Sequence, residues 1–536
     1  MTWVNVSLGV AEGDYKIEFT YKKDSSGDHG DDKGYVMMHD IGELCDYTYT
    51  APIPKLDIGE LFDIIDFTGI NFNEAAKKLV SSTSDITYES TNTSITKIKR
   101  IYDYDEFPKT RAAALYNSEN DSYLLMSVKG TTSSWYNDII YLYSDDDIVM
   151  LPKDCSYMFY EMKKLSTLNI EYFNANLTEN MSYMFAYIDG LTSINLGEHF
   201  DTSNVTNMSR MFSNTFIYCA SDFSFLGDKF NTSNVTDMSG MFLNFNLKHD
   251  VYKEITLNFD TSNATDTSWM FFSFCTPNIS ANHYSLNLGD NFDTSKVTDM
   301  SYMFAYTQNC VELNLGNKFD TSNVTNMSSM FTYTLARYDK TEEFIFNVDF
   351  NTSNVTNMSD MFCGFCIGNS IEKLTLNLGN NFDTSNVINM AGMFQQVGAG
   401  VANSVELNLG DKFNTSNVTN MSNMFLYYAT TATTCSLNLG DKFDTTNVVS
   451  FRKMFQECGT NGLTELDLGA KFNRYSATVN SYAMEKCGKP PCTVYGTQSI
   501  ISYFGNAYDT NRTYSYQNED GTYTTAYWHN YVVKYT

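Results

Sequence analysis

Phe200-Asp-Thr-Ser-Asn-Val-Thr-Asn-Met-Ser-Arg-Met-Phe212 is the stretch on which the fold turns, because the chain writes it repeatedly. Close copies begin at Phe230, Phe319, Phe350 and Phe413, and looser ones at Phe173, Phe259, Phe292, Phe382 and Phe443. The closing Phe recurs from Phe159 to Phe455 at intervals of 26 to 33 residues. Such a period marks stacked repeats, in which each unit buries its apolar face only against its neighbours. Val205, Met208 and Phe212 fall at i, i+3 and i+7, the spacing of a helical face. The Asp-Thr-Ser-Asn ahead of them supplies N-cap side chains for that turn of helix.

A second element precedes most copies. Leu-Asn-Leu-Gly begins at Leu286, Leu313, Leu376, Leu407 and Leu437, with variants at Ile194 and Leu466. Two leucines one residue apart point to the same face of a strand. The intervening Asn195, Asn287, Asn314, Asn377, Asn408 and Asn438 point away from them, and stacked Asn side chains form a hydrogen-bonded ladder in preference to a ligand-reading stripe. One strand and one helical turn per unit predict an α/β repeat solenoid, leucine-rich-repeat-like, of about 12 coils of roughly 30 residues. With strands about 4.8 Å apart, twelve coils extend over about 55–60 Å.

Variation inside the chain separates the faces. In Met-Ser-x-Met-Phe the middle position holds residues as different as Tyr157, Arg210, Gly240, Trp269, Ser329, Asp360 and Asn423, so it is expected to face solvent, with the flanking Met and Phe in the core. The aromatics at this position, Tyr157, Tyr183, Trp269 and Tyr302, are the candidate binding residues. Segments of differing length after Met-Phe are expected to form loops along one edge, where repeat proteins often bind.

Two other regions flank the repeats. Residues 1–136 read as a small α+β domain that caps the solenoid or attaches it to a partner. In it, Tyr15–Tyr21 is expected as a strand, Asp24–Gly34 as a polar loop, Ile58–Ile65 and Asn73–Val80 as helical segments separated by Thr68-Gly-Ile-Asn, and Ile95–Ile101 and Ser122–Val128 as strands. Residues 137–485 are the repeat solenoid. Residues 486–536 are a Tyr-rich β C-terminal cap, with a hairpin across Thr513–Ala526 that either covers the last coil or offers an aromatic contact surface.

These repeats, with Asp138-Ile-Ile-Tyr-Leu-Tyr-Ser-Asp145 leading into Cys155-Ser-Tyr-Met-Phe159, resemble the BspA-like leucine-rich repeat surface proteins, in the Met-Phe class of mycoplasma and low-GC Gram-positive bacteria and their phages. The resemblance covers residues 137–485, about 65% of the chain. It implies adhesion to proteins or cells, brings no catalytic residues, and implies presentation at a cell surface.

Composition and motifs exclude other classes. The 63 acidic and 35 basic side chains leave a net charge of −28, which opposes binding to nucleic acid and to anionic lipid surfaces. No run of about 18 apolar residues marks a membrane span, and neither a signal peptide nor an anchor is visible. The eleven Cys are scattered and read as buried free thiols. Cys363-Gly-Phe-Cys366 follows Met361-Phe362 inside a repeat and lacks the strand-then-helix setting of a redox site. Cys487 and Cys492 suit a turn better than a disulfide or metal, and the six His show no zinc spacing. The acidic loops Asp24–Asp32 and Asp145–Asp147 lack EF-hand spacing and read as solvated.

The expected function is therefore non-enzymatic: an adhesion or interaction protein presenting its solenoid to a protein or glycan receptor. A phage virion component such as a tail or head fibre, binding other virion proteins, is one form of this. A cell-surface adhesin exported by a non-standard route is the alternative, and a carbohydrate-active enzyme on a solenoid a distant one. No cofactor, metal, nucleic acid or membrane insertion is expected, and oligomers form, if at all, through the terminal regions.

Overall fold

A computed structural model describes residues 64–535 apart from 82, 84, 93, 110, 130–137, 219–221, 248–252, 276–282, 336–342, 369–370, 474–481, 508–512 and 518–522, with backbone alone over the remainder of 505–527. The chain divides into two units, Met1–Leu56 and Asp57–Thr536, and every described residue belongs to the second. The expected strand Tyr15–Tyr21, the loop Asp24–Gly34 and most of the helical segment Ile58–Ile65 lie outside the described residues.

The described chain opens with β1 (Ile64–Asp66) and α1 (Gly69–Val80), followed by β2 (Ile95–Arg100), β3 (Ala112–Asn117), β4 (Ser122–Val128) and β5 (Asp138–Tyr143). Two expectations change here. Ile64 and Ile65 are extended, not helical, because they pair in parallel with Ala114 and Leu115. The expected separator is itself part of a helix: the Thr68 hydroxyl accepts the Asn71 N–H at 3.2 Å as an N-cap, and Gly69, Ile70 and Asn71 already belong to α1. The strands order as β1-β3-β4-β5-β2, and the sheet then continues into Thr167–Asn169 and Ser193–Asn195 of the repeats. One hydrogen-bonded sheet thus takes strands from both sides of residue 137.

Beyond it, each repeat pairs in parallel with the next. Leu376 lies opposite Leu407, and Leu407 opposite Leu437, so equivalent residues face one another. A second line of parallel bridges joins Asp154, Asn180, Asn207, Asp237, Asp266, Asp299 and Asn326, and runs on to Ser450. Between these lines lies the core. Val205, Met208, Met211 and Phe212 and their equivalents are fully buried. Their phenylalanines form an unbroken ladder: Phe185–Phe212, Phe212–Phe242 and Phe242–Phe271 centroids lie 5.3, 5.8 and 6.0 Å apart, with planes within 13° of parallel. The series continues to Phe425–Phe455 at 5.4 Å. These spacings suit attractive aromatic contact.

The expected helix is absent, and the fold is a repeated β-rich one in which the described residues hold two α-helices, both outside the Met-Phe repeats. Val205, Met208 and Phe212 do share an inward face, but they reach it through turns. The cause is the middle residue of Met-Ser-x-Met-Phe, which adopts left-handed φ values such as 61° at Tyr157, 55° at Arg210 and 60° at Trp269. The residue four further on does so too, as at Asn214 (φ 55°). Left-handed residues at this frequency are incompatible with a right-handed helix. The N–H groups alternate instead. Those of Arg210, Phe212 and Asn214 donate to the next repeat at Ser239, Met241 and Leu243, at 2.9, 3.0 and 2.7 Å. Those of Met211 and Ser213 donate back to Met208 and Arg210. The N-cap side chains likewise cap turns: the Asp201 carboxylate accepts the Ser203 N–H at 2.9 Å.

Lys453, at φ 57°, carries left-handed strain of about 1–2 kcal/mol. Lys453→Gly relieves it against about 0.5–1 kcal/mol of added unfolded-chain freedom. Denaturant titration is expected to show a net gain of up to about 1.5 kcal/mol. Gly392→Val should do the reverse, since φ is +64° and the Asp360 carboxylate occupies the place of its Cβ.

The direction of these bonds leaves the first repeat's carbonyls without a preceding partner, and α1 supplies donors. Gly69 N–H donates to Asp154 O at 2.9 Å. The buried Asn73 side chain donates to Tyr160 O at 2.9 Å and Met158 O at 3.3 Å. At the other end Glu465–Asp467, Cys492–Thr497 and His529–Tyr535 form a parallel sheet. The hairpin expected near residue 520 is present, with Thr513–Gln517 antiparallel to Tyr523–Tyr527. A helix not anticipated from the sequence, α2 (Gln498–Ala507), precedes it.

Candidate functional site

The variable position of each repeat lines up with that of the next into a column, in which the left-handed residue is half-buried at most steps and buried at Gly240, Ser329 and Gly392. Its aromatics are half-buried rather than exposed, a correction to the sequence expectation. They cover one another. Tyr157 and Tyr183 stack at 4.7 Å with planes 9° apart, and Trp269 and Tyr302 at 4.0 Å and 15°. Ser329 in the same column is buried. The four candidate residues thus form two pairs, separated by Arg210 and Gly240.

A second aromatic row lies beside the first and was not picked out from the sequence. In the first group, Tyr160 packs on Tyr157 at 5.1 Å and on Tyr187 at 5.4 Å, and Tyr88 closes on Tyr157 at 4.8 Å. In the second, Phe272 contacts Trp269 at 4.9 Å and Tyr306 at 5.1 Å, while Tyr306 stacks on Tyr333 at 5.2 Å. Tyr333 lies across Gly364, where an added Cβ would meet its ring at 2.6 Å, and its hydroxyl donates to Gln396 Oε1 at 2.8 Å. The available signal was the recurrence of Tyr at the fourth residue after the variable position: Tyr187, Tyr306, Tyr333 and Tyr427.

The electrostatics of this face are simple. Burial pushes the phenols of Tyr157, Tyr306 and Tyr333 up and that of Tyr160 up to about 12, so all are neutral donors at physiological pH. Arg210 sits over the Tyr183 ring, 5.8 Å from its centre. Lys77 of α1 donates to Tyr88 O at 2.6 Å and lies 5.9 Å from the centre of the Tyr160 ring. Burial lowers its pKa to about 8 against the opposing pull of Glu161 and Glu74. Asp360 continues the column beyond Ser329, and burial raises its pKa.

The remaining candidates carry no assembled chemistry. Cys363 and Cys366 are buried in the repeat, and burial pushes the Cys363 thiol up to about 12 and that of Cys366 higher still. That is opposite to what a reactive thiol needs. Cys487 and Cys492 are free, buried thiols. Among the described residues no group of three or more His, Cys, Asp or Glu is arranged to hold a metal ion. Asp145 accepts the Tyr143 hydroxyl at 2.6 Å, and the carbonyls of Asp146 and Asp147 accept from Arg100. The Asn ladder exists at Asn347, Asn377 and Asn408, linked at 2.7 and 2.6 Å. Elsewhere these Asn oxygens accept the N–H of the following Gly, as Asn287 does from Gly289 at 3.0 Å. Much of the variable-length loop edge expected to bind, including 276–282 and 336–342, lies outside the described residues. No described helix is long and apolar enough to cross a membrane.

A family model described as Mycoplasma protein of unknown function, DUF285, matches residues 152–242, 198–287, 277–396 and 367–465. No curated protein and no solved structure matches the chain.

Proposed function

The chain belongs to that repeat family, DUF285, and we propose that it is a non-enzymatic interaction protein of BspA-like type, a solenoid of about 12 coils that binds a partner protein through its two-row aromatic face. The observation that carries this reading is the placement of Trp269, Phe272, Tyr302, Tyr306 and Tyr333 in register on one side of the repeats. They stand apart from the fully buried core, which the Met, Val, Leu and Phe side chains of the repeats make up. Rigid Tyr and Trp side chains give contact area at low entropy cost and dominate binding energy at interfaces. The resemblance to BspA-like surface proteins supports an adhesive role at a cell surface. Purified protein and a Trp269→Ala/Tyr302→Ala variant, both titrated onto intact cells, test the reading. The variant is expected to bind at least about tenfold more weakly while keeping its thermal midpoint within a few degrees. Equal binding by the two proteins would overturn it.

A further inference from the structure

Asp360 is the one acidic side chain in the variable column of the described repeats. It is half-buried, and among the described residues no Lys, Arg or His pairs with its carboxylate. Its side chain leans over Gly392 of the next repeat, where there is no side chain to meet it. Beside it stand Tyr333, laid across Gly364, and Tyr306 stacked on Tyr333; both phenols feel its charge. Tyr302 lies two steps back in the same column, with the short Ser329 between. A desolvated carboxylate without a partner costs free energy, and a cation held against aromatic rings offsets that cost.

The chain shows how it holds such a cation elsewhere. Arg100 lies over the rings of Tyr102 and Tyr172, 4.8 Å from each centre. Arg210 takes a place in the column itself, over Tyr183. A planar guanidinium offers parallel donors to a carboxylate and a flat face to a ring. We propose that Asp360, with Tyr302, Tyr306 and Tyr333, forms a site for an arginine side chain of the partner protein. The choice of a basic partner also matches the chain's net charge of −28. The inference rests on the interaction reading above and names the partner's chemistry.

The test uses the full chain and two short acetylated peptides that differ only in carrying arginine or its neutral isostere citrulline, with affinity read by NMR titration. The arginine peptide is expected to bind and the citrulline peptide to bind at least about tenfold more weakly. Asp360→Asn should cost the arginine peptide a similar factor without lowering the thermal midpoint, because it removes a desolvated charge. Asp411→Asn removes an exposed charge from another repeat and should change neither. Equal binding of the two peptides overturns the site. So does an Asp360→Asn variant that melts lower yet binds unchanged, which makes the carboxylate structural. If cell binding still depends on Trp269 and Tyr302 while the arginine peptide fails, only this inference falls. If cell binding ignores the aromatics, the broader reading falls whatever the peptide does.

Discussion

Phe212→Asp is expected to unfold its own repeat and loosen both neighbours. Phe212 is fully buried between Phe185 and Phe242 in the ladder, 5.3 and 5.8 Å from their centres. Deleting a buried Phe costs about 3–5 kcal/mol by itself. Leaving an unpaired carboxylate in the same space adds several more. Because repeats are coupled to nearest neighbours, the damage stays centred there. Amide hydrogen exchange should accelerate across residues 181–245 first. Met208→Asp should behave alike. Arg210→Ala, one residue from Met211 but half-buried at the surface, forfeits its contact with Tyr183, about 0.5–1 kcal/mol, and its cover over Gly240. Similar losses from Phe212→Asp and Arg210→Ala would mean that the two faces are assigned wrongly.

The second large effect is expected from a methyl group. Gly69 begins α1, and a Cβ there would stand 2.6 Å from the Cys155 carbonyl oxygen and closer still to that of Ser156. Both contacts are backbone, so neither yields easily. On helix propensity alone, Gly69→Ala should stabilise by about 1 kcal/mol. The close approach predicts the opposite sign. Displacing α1 breaks the Gly69 bond to Asp154 and carries off Asn73, whose side chain serves Met158 and Tyr160. Each orphaned buried carbonyl costs about 1–3 kcal/mol. A net loss of about 3 kcal/mol or more is expected, with faster exchange over residues 155–187 and none beyond residue 390. A higher thermal midpoint for Gly69→Ala would contradict the docking of α1.

The repeat, its inward residues and its paired strands were legible because burial is enforced at every copy: a polar residue at the Phe212 position would fail in any of them. The helix was misread for a physical reason. A period of i, i+3 and i+7 reports only which side chains share a face, and a series of turns with left-handed residues satisfies it as well. The corrective signal was present in Gly240, Gly392 and Asn423 at the variable position, residues that tolerate positive φ. The same position misled about exposure. Tolerance of any side chain excludes the core, but it does not exclude mutual cover between neighbours, which is how Trp269 and Tyr302 come to be half-buried. The paired rows of tyrosines and the isolation of Asp360 depend on which repeats become adjacent and how their side chains lean. Spacing along the chain does not encode that. Strand β1 was misjudged because Ile64 and Ile65 take their conformation from β3, some fifty residues away, rather than from local pattern.

Consecutive repeats lie one on the next in parallel register, as the proposed solenoid requires. Spin labels carried on non-canonical amino acids at Thr206 and, in turn, at Thr265, Thr325 and Thr356 report this directly through pulsed electron-electron distances. The distance should grow with repeat number, by about 4.8 Å per step and to about 24 Å at Thr356. Distances that fail to rise in that order would contradict the stacked register and the aromatic face that depends on it.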